Sequence, residues 1–175
     1  MIAIRTLLTL TLLLGVAYPL AVTGLAQLVF PWQANGSQLH DDKQQLIGSA
    51  LLAQKFKRAD YFHSRPSASD FATLGGGASN LGMSSPLRAE FATEVAKEQP
   101  EARVPALLTR SASGLDPHLP LDAVLSQVDR VAKERGLDPA RLTEQVKSAA
   151  QAGILGPQVV NILQLNLQLD HQKGA

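Results

Sequence analysis

Residues 6–30 read TLLTLTLLLGVAYPLAVTGLAQLVF. Leucine, valine, alanine and threonine dominate, and no formally charged side chain occurs between Arg5 and Asp41. A bilayer core takes about 20 apolar residues at roughly 1.5 Å each, so the run is long enough to span one. Trp32, with Tyr18 and Phe30, supplies the aromatic edge expected where a helix leaves lipid. A cleaved signal peptide has a shorter apolar region, of about 7–15 residues. Here the small residues suited to cleavage, Gly24 and Ala26, lie inside the run, so the segment reads as an uncleaved anchor over residues 1–33. Arg5 precedes the helix and no basic residue follows until Lys43, which favours a cytoplasmic N-terminus with the remaining chain outside the inner membrane. Within the anchor, Ala17, Ala21 and Gly24 fall at i, i+4 and i+7, a small-residue stripe that lets another helix approach closely in lipid. Pro19 bends such a helix unless its neighbours compensate.

Outward from the anchor, residues 34–175 read as one soluble α+β domain. The chain has 175 residues, 16 Lys+Arg, 15 Asp+Glu and no cysteine. Only Arg5 among the basic residues precedes the anchor, so the domain is formally neutral and lacks the basic stripe of a nucleic-acid binder. The missing cysteines exclude disulfide scaffolds, thiol catalysis and Cys-ligated zinc or iron–sulfur centres. Asn35-Gly36 marks a turn at the membrane exit, and Leu46–Leu52 is a short apolar run that fits either a buried strand or a helix. Residues 63–86 form a long Ser/Gly/Pro-rich loop containing Gly75, Gly76 and Gly77, of the kind that is usually functional or an interface element. Ser85 as N-cap and Pro86 open a helix with Leu87, Phe91 and Val95 on one face, stopped before Pro100. One helix is expected from Pro120 to Gly136, and a second from the Asp138 cap to near Gly153. Over Ile162–Leu169, leucines alternate with Gln164, Asn166 and Gln168, a period of two that predicts a half-buried strand.

Chemistry-bearing motifs are sparse. The phosphate-cradling Gly-x4-Gly-Lys-Ser/Thr loop, the Asp-Lys-Thr-Gly-Thr phosphorylation sequence, His-Glu-x-x-His and Gly-x-Ser-x-Gly do not occur. Gly75–Gly77 lacks the third glycine of a dinucleotide fingerprint. Ser111-Ala112-Ser113-Gly114-Leu115-Asp116-Pro117-His118 is the densest polar stretch. It holds a nucleophile, a carboxylate and an imidazole by type, but a triad needs them ordered in space, and Asp116 with His118 has no third metal ligand at suitable spacing. The plainer expectation is an Asx-turn at Asp116 and a surface or interface hydrogen bond at His118. Tyr61-Phe62-His63-Ser64-Arg65-Pro66 reads either as a loop pinned into its own core by Tyr61 and Phe62 or as an aromatic/Arg protein–protein anchor. His40 and His171 read as solvated.

These blocks, in this order behind one anchor, resemble the C subunit of the Kdp-type bacterial potassium-transporting ATPase. The similarity runs from Phe30-Pro31-Trp32-Gln33-Ala34-Asn35-Gly36-Ser37 through Tyr61–Ala68, Ala78–Gly82 and Ser111–His118 to Val160-Asn161-Ile162-Leu163-Gln164-Leu165-Asn166. Gly77-Ala78 and Met83-Ser84-Ser85 depart from the commoner forms. The resemblance implies an accessory subunit without an active site, partnered by a potassium-conducting subunit, an ATP-hydrolysing subunit and a small helical subunit. It implies a role in assembly and, as described for the family, a catalytic chaperone that raises the ATP affinity of the ATPase subunit. That proposal points to Gly75, Gly76 and Gly77 and to Gln127 as ATP contacts, with no firmly bound cofactor. A domain outside the membrane is separated from cytoplasmic ATP, and a cap or filter beside the ion entrance is the family role that agrees with this topology. The expected contact residues are Ala17, Ala21, Gly24, Tyr61, Phe62, Arg65, Asp116, His118, Asn161 and Asn166. The competing reading is a membrane-anchored periplasmic hydrolase using Ser113 and His118, or a ligand-binding domain.

Overall fold

Leucine-rich and uncharged after Arg5, the N-terminal segment folds as one continuous helix, α1 (Ile2–Val29), of 28 residues with none buried inside the protein. At 1.5 Å per residue it is about 42 Å long, more than the ~30 Å hydrocarbon core. Pro19 does not break it. The turn before it, Leu13–Ala17, widens into a π-helix in which the Tyr18 N–H reaches back to the Leu13 carbonyl. Such a turn relaxes the ladder where a proline supplies no N–H. The computed structural model describes residues 1–41, 43–153 and 156–173; Asp42, residues 154–155 and residues 174–175 lie outside that description.

Two compact units form, Met1–Ser49 and Ala50–Ala175. After α1 come a single helical turn, α2 (Pro31–Ala34), and a hairpin of β1 (Gln38–His40) and β2 (Leu46–Ser49). The expected Asn35-Gly36 turn sits between them: Gly36 has φ +81°, a conformation open to glycine. Asn35 Nδ2 donates to the Pro31 carbonyl at 2.6 Å and Trp32 Nε1 to the Gln38 carbonyl at 3.0 Å. The hairpin turn is organised by Asp41, whose Oδ1 accepts from the Lys43 and Gln45 backbone N–H groups at 2.9 and 2.8 Å.

In the second unit no helix or strand forms from Ala50 to Ser85. Then follow α3 (Pro86–Glu98), α4 (Pro105–Leu108), β3 (His118–Pro120), α5 (Leu121–Leu125), α6 (Val128–Arg135), α7 (Pro139–Ser148), β4 (Val159–Asn161) and α8 (Ile162–Lys173). β3 and β4 pair antiparallel in the register His118↔Asn161, Leu119↔Val160, Pro120↔Val159. The core gathers on this pair: Leu119, Val124, Val131, Leu142, Val146, Val160, Ile162 and Leu165 are buried together with Phe62 from the long loop. Each such aliphatic side chain contributes about 1.5–3 kcal/mol on burial.

Two expectations need correction. Residues 162–169 are helix, not strand. The buried positions Ile162, Leu165, Asn166 and Leu169 follow i, i+3, i+4, i+7, and Asn166 is on the same face as the leucines it seemed to alternate with. Asn161 starts that helix: its Oδ1 accepts the Gln164 backbone N–H at 3.1 Å as an N-cap. The single helix expected from Pro120 to Gly136 is two, broken at Ser126–Gln127. The Ala123 carbonyl, which would take the Gln127 N–H in an α-helix, instead accepts Ser126 Oγ and Gln127 Nε2, and the Gln127 N–H moves to Val124.

Other local readings match. Gly136 ends α6 in the left-handed conformation, and Asp138 caps α7 through the Ala140 and Arg141 N–H groups, although α7 stops at Ser148 rather than near Gly153. α3 begins at Pro86 as expected, but Ser85 makes no side-chain cap, and Leu87 is exposed while Phe91 and Val95 are half-buried.

Candidate functional site

The two conspicuous loop motifs meet different fates. Tyr61–His63 is clamped into the interior by side-chain amides from two helices. Asn166 donates Nδ2 to the Phe62 carbonyl at 2.9 Å and accepts the Phe62 N–H at 2.9 Å. Gln127 does the same one residue on, accepting the His63 N–H at 2.8 Å and donating Nε2 to the His63 carbonyl at 3.2 Å. Each amide thus satisfies one backbone donor and one acceptor, and a loop can then be buried without orphaned peptide groups.

Arginines complete the clamp. Arg130 reaches the Ala59 and Tyr61 carbonyls, donates Nη2 to Gln127 Oε1 at 2.8 Å and pairs with Glu101 at 2.6 Å. Arg135 donates to the Asp60 carbonyl at 2.5 Å and to Asp170 at 2.9 Å. The guanidiniums of Arg58 and Arg135 each lie 5.0 Å from the Tyr61 ring centre, and the Tyr61 hydroxyl donates to Asp170 at 2.7 Å. The titration behaviour follows from this setting. Burial first, then the hydrogen bond to Asp170, raises the Tyr61 phenol above its ordinary pKa. The hydrogen bond from Arg58 lowers the Asp60 carboxyl. Burial first, then the Arg130 charge, lowers His63.

The Ser111–His118 loop packs against the long irregular segment. The Ser111 N–H donates to the Pro66 carbonyl at 2.8 Å, and the Ala53 N–H donates to the Leu115 carbonyl at 2.9 Å. Ser113 Oγ accepts the Leu115 N–H at 3.1 Å and lies 3.2 Å from Ser111 Oγ. Among the described residues no hydrogen bond joins either serine to His118. Asp116 makes the expected Asx-turn, accepting the His118 N–H at 3.0 Å, with the His118 ring 3.7 Å away. Gly114 has φ +72°, and a Cβ there would stand 2.8 Å from the Gly77 carbonyl oxygen.

Comparison with known proteins gives these blocks a context. Residues 1–171 match the family model of KdpC, the c chain of the K+-transporting ATPase. The chain belongs to the KdpC family. It is 52% identical over 172 residues to the potassium-transporting ATPase KdpC subunit of Pseudomonas aeruginosa, covering 95% of this chain and 93% of that one. The KdpC subunit of Pseudomonas entomophila is 48% identical over 172 residues, with 96% and 92% covered, and that of Pseudomonas syringae pv. tomato 46% over 177 residues, with 99% and 93% covered.

The residues singled out as KdpC contacts separate by burial. Phe62, Asn161 and Asn166 are buried, the amides holding the Phe62 backbone and the Ala50 carbonyl. Gln127 is 0% exposed, and both ends of its amide are engaged within the domain. Of the glycines, Gly75 and Gly77 face open space, whereas a Cβ on Gly76 would meet Leu115 Cδ1 at 2.9 Å. Tyr61, Arg65, Asp116 and His118 are half-buried, and Ala17, Ala21 and Gly24 are exposed on α1. Missed altogether were Arg130, Arg135, Glu101 and Asp170 as the ties of the aromatic loop. Their partners stand up to 109 residues away, so no local spacing announces them.

Proposed function

We propose that this chain is a non-catalytic accessory subunit of an ATP-driven potassium importer, tethered by α1 in the inner membrane and needed for assembly of the complex. What supports this reading most directly is where the reactive-looking groups go. Gln127, Arg130, Asn166, Ser111 and Ser113 are each committed to backbone, to one another or to Glu101, as in a rigid docking module. The apolar α1, with no residue buried inside the protein and Arg5 its only charge, gives such a module its place beside membrane partners. Those partners are the potassium-conducting subunit, the ATP-hydrolysing subunit and the small helical subunit. In this reading the domain lies outside the membrane, and any effect on ATP affinity passes through the ATPase subunit.

A tagged full-length chain, extracted in detergent and analysed by mass spectrometry, is expected to carry the larger subunits and to hydrolyse no ATP alone. Cells lacking it are expected to fail on micromolar potassium although the other subunits are expressed. ATP hydrolysis by the purified chain, or normal growth of the deletion strain, overturns the proposal. His118→Ala separates it from a hydrolase, since an enzyme would lose nearly all turnover whereas a docking residue changes only assembly.

A further inference from the structure

A pocket of about 280 Å³ on the second unit is lined by three arginines, Arg65, Arg88 and Arg110, with Met83, Phe91 and Thr109 among the other walls. No described carboxylate forms an ion pair with any of the three. Glu90 and Glu94 line a neighbouring hollow that shares Arg110, without pairing with it. Two of the guanidiniums are held in place by the protein. Arg65 donates Nε and Nη2 to the Thr109 carbonyl and hydroxyl at 3.2 and 3.0 Å, and Arg110 lies 4.1 Å over the Phe91 ring. The Arg110 Nε is buried and has no hydrogen-bond partner. Arg88 reaches the Met83 sulfur.

Three half-buried like charges converging without a counter-charge are unfavourable in the isolated domain, and an oxyanion relieves them. At about 280 Å³ the pocket lies at the lower edge of the roughly 300–1,000 Å³ that small-molecule sites span, with room for one side chain carrying a carboxylate. Its rim is protein-like: Met83 is 86% exposed beside the arginines and Phe91, the mixture of side chains enriched in the centres of protein–protein interfaces. We propose that the Arg65–Arg88–Arg110 pocket seats an aspartate or glutamate side chain of another subunit. This rests on the accessory-subunit reading above.

The test uses the tagged full-length chain expressed with the complex. Arg88→Glu and Arg88→Gln are expected to lower recovery of the larger subunits about tenfold or more, as for a central interface residue. Arg103→Glu, on an exposed residue outside the pocket lining, is expected to leave recovery unchanged. Unchanged thermal unfolding of the Arg88 variants excludes misfolding. A photo-crosslinker at Met83 is expected to attach to a subunit peptide containing Asp or Glu. Wild-type recovery by both Arg88 variants, or adducts to lipid alone, overturns the inference while the accessory role stands. So does inorganic phosphate binding that Arg88→Glu abolishes without altering recovery. If the wild-type chain captures no larger subunit, the accessory reading itself falls.

Discussion

Asn166 and Phe62, 104 residues apart in sequence, exchange a pair of hydrogen bonds in the manner of two paired strand residues, both at 2.9 Å. A helix thereby supplies, through one side chain, what a neighbouring strand would supply through its backbone. Asn166→Ala removes both bonds and leaves a buried N–H and carbonyl unpaired, each costing about 1–3 kcal/mol. Urea unfolding of the full chain in detergent is expected to show that loss. Asn166→Asp is expected to lose stability too, because an ionised carboxylate cannot donate to the Phe62 carbonyl.

His63 sets an acid limit. Its folded pKa is below the ordinary value of about 6.5, because burial and Arg130 oppose the charged ring. Below pH 6.5 the unfolded chain therefore binds the proton first. Stability present above that pH declines as acid is added, until the folded ring is protonated too. Thermal unfolding from pH 7 to pH 5 is expected to show the decline, and His63→Gln to flatten it.

Gly114 and the glycine tract are expected to respond differently. Gly114→Ala forces a side chain into φ +72°, costing about 1–2 kcal/mol, and pushes a Cβ to 2.8 Å from the Gly77 oxygen. Gly75→Ala and Gly77→Ala meet nothing within 4 Å and are expected to change stability by no more than about 0.5 kcal/mol. Denaturant midpoints of the three variants check this.

What was legible before the fold was known is what depends on local chain chemistry. The Asp138 cap, Gly136 stop, Asx-turn at Asp116 and uncharged anchor are all written in adjacent residues. The helix at 162–173 was hidden because leucines spaced by two also satisfy a helical face once Asn166 is buried with them. Asn161 immediately before Ile162 was the available signal, an N-cap at the head of an apolar run. The break at Gln127 could not be read from periodicity, since the amide that takes the Ala123 carbonyl is also tied to the His63 backbone 64 residues away. For the same reason Tyr61–Pro66 and Ser111–His118 stand out as motifs: they hold a long irregular segment closed, and their residue types resemble those of a reactive site.

Orientation is open to a direct measurement. With Arg5 in the first turns of α1 and Lys43 the next basic residue, a C-terminal alkaline phosphatase fusion is expected to be active. An inactive fusion, with a cytoplasmic reporter working at the same position, reverses the topology.

Ala21→Leu and Gly24→Leu test the anchor face. Leucine is at least as apolar, so insertion is expected to persist, while yield of co-purified subunits falls because close helix approach depends on small side chains. Wild-type yield from both variants removes the stripe from consideration.

The wide turn at Leu13–Ala17 carries a consequence for that stripe. One extra residue in a turn rotates everything after it by about 100° relative to an unbroken helix. Side chains seven apart that straddle it, such as Leu10 and Ala17, no longer point the same way. Ile2–Leu12 and Tyr18–Val29 therefore address different compass bearings within one membrane crossing. A single tether of this kind can lean on one neighbour in the inner leaflet and another in the outer, and deleting one residue from the turn would swing the small-residue face away from whichever helix it meets.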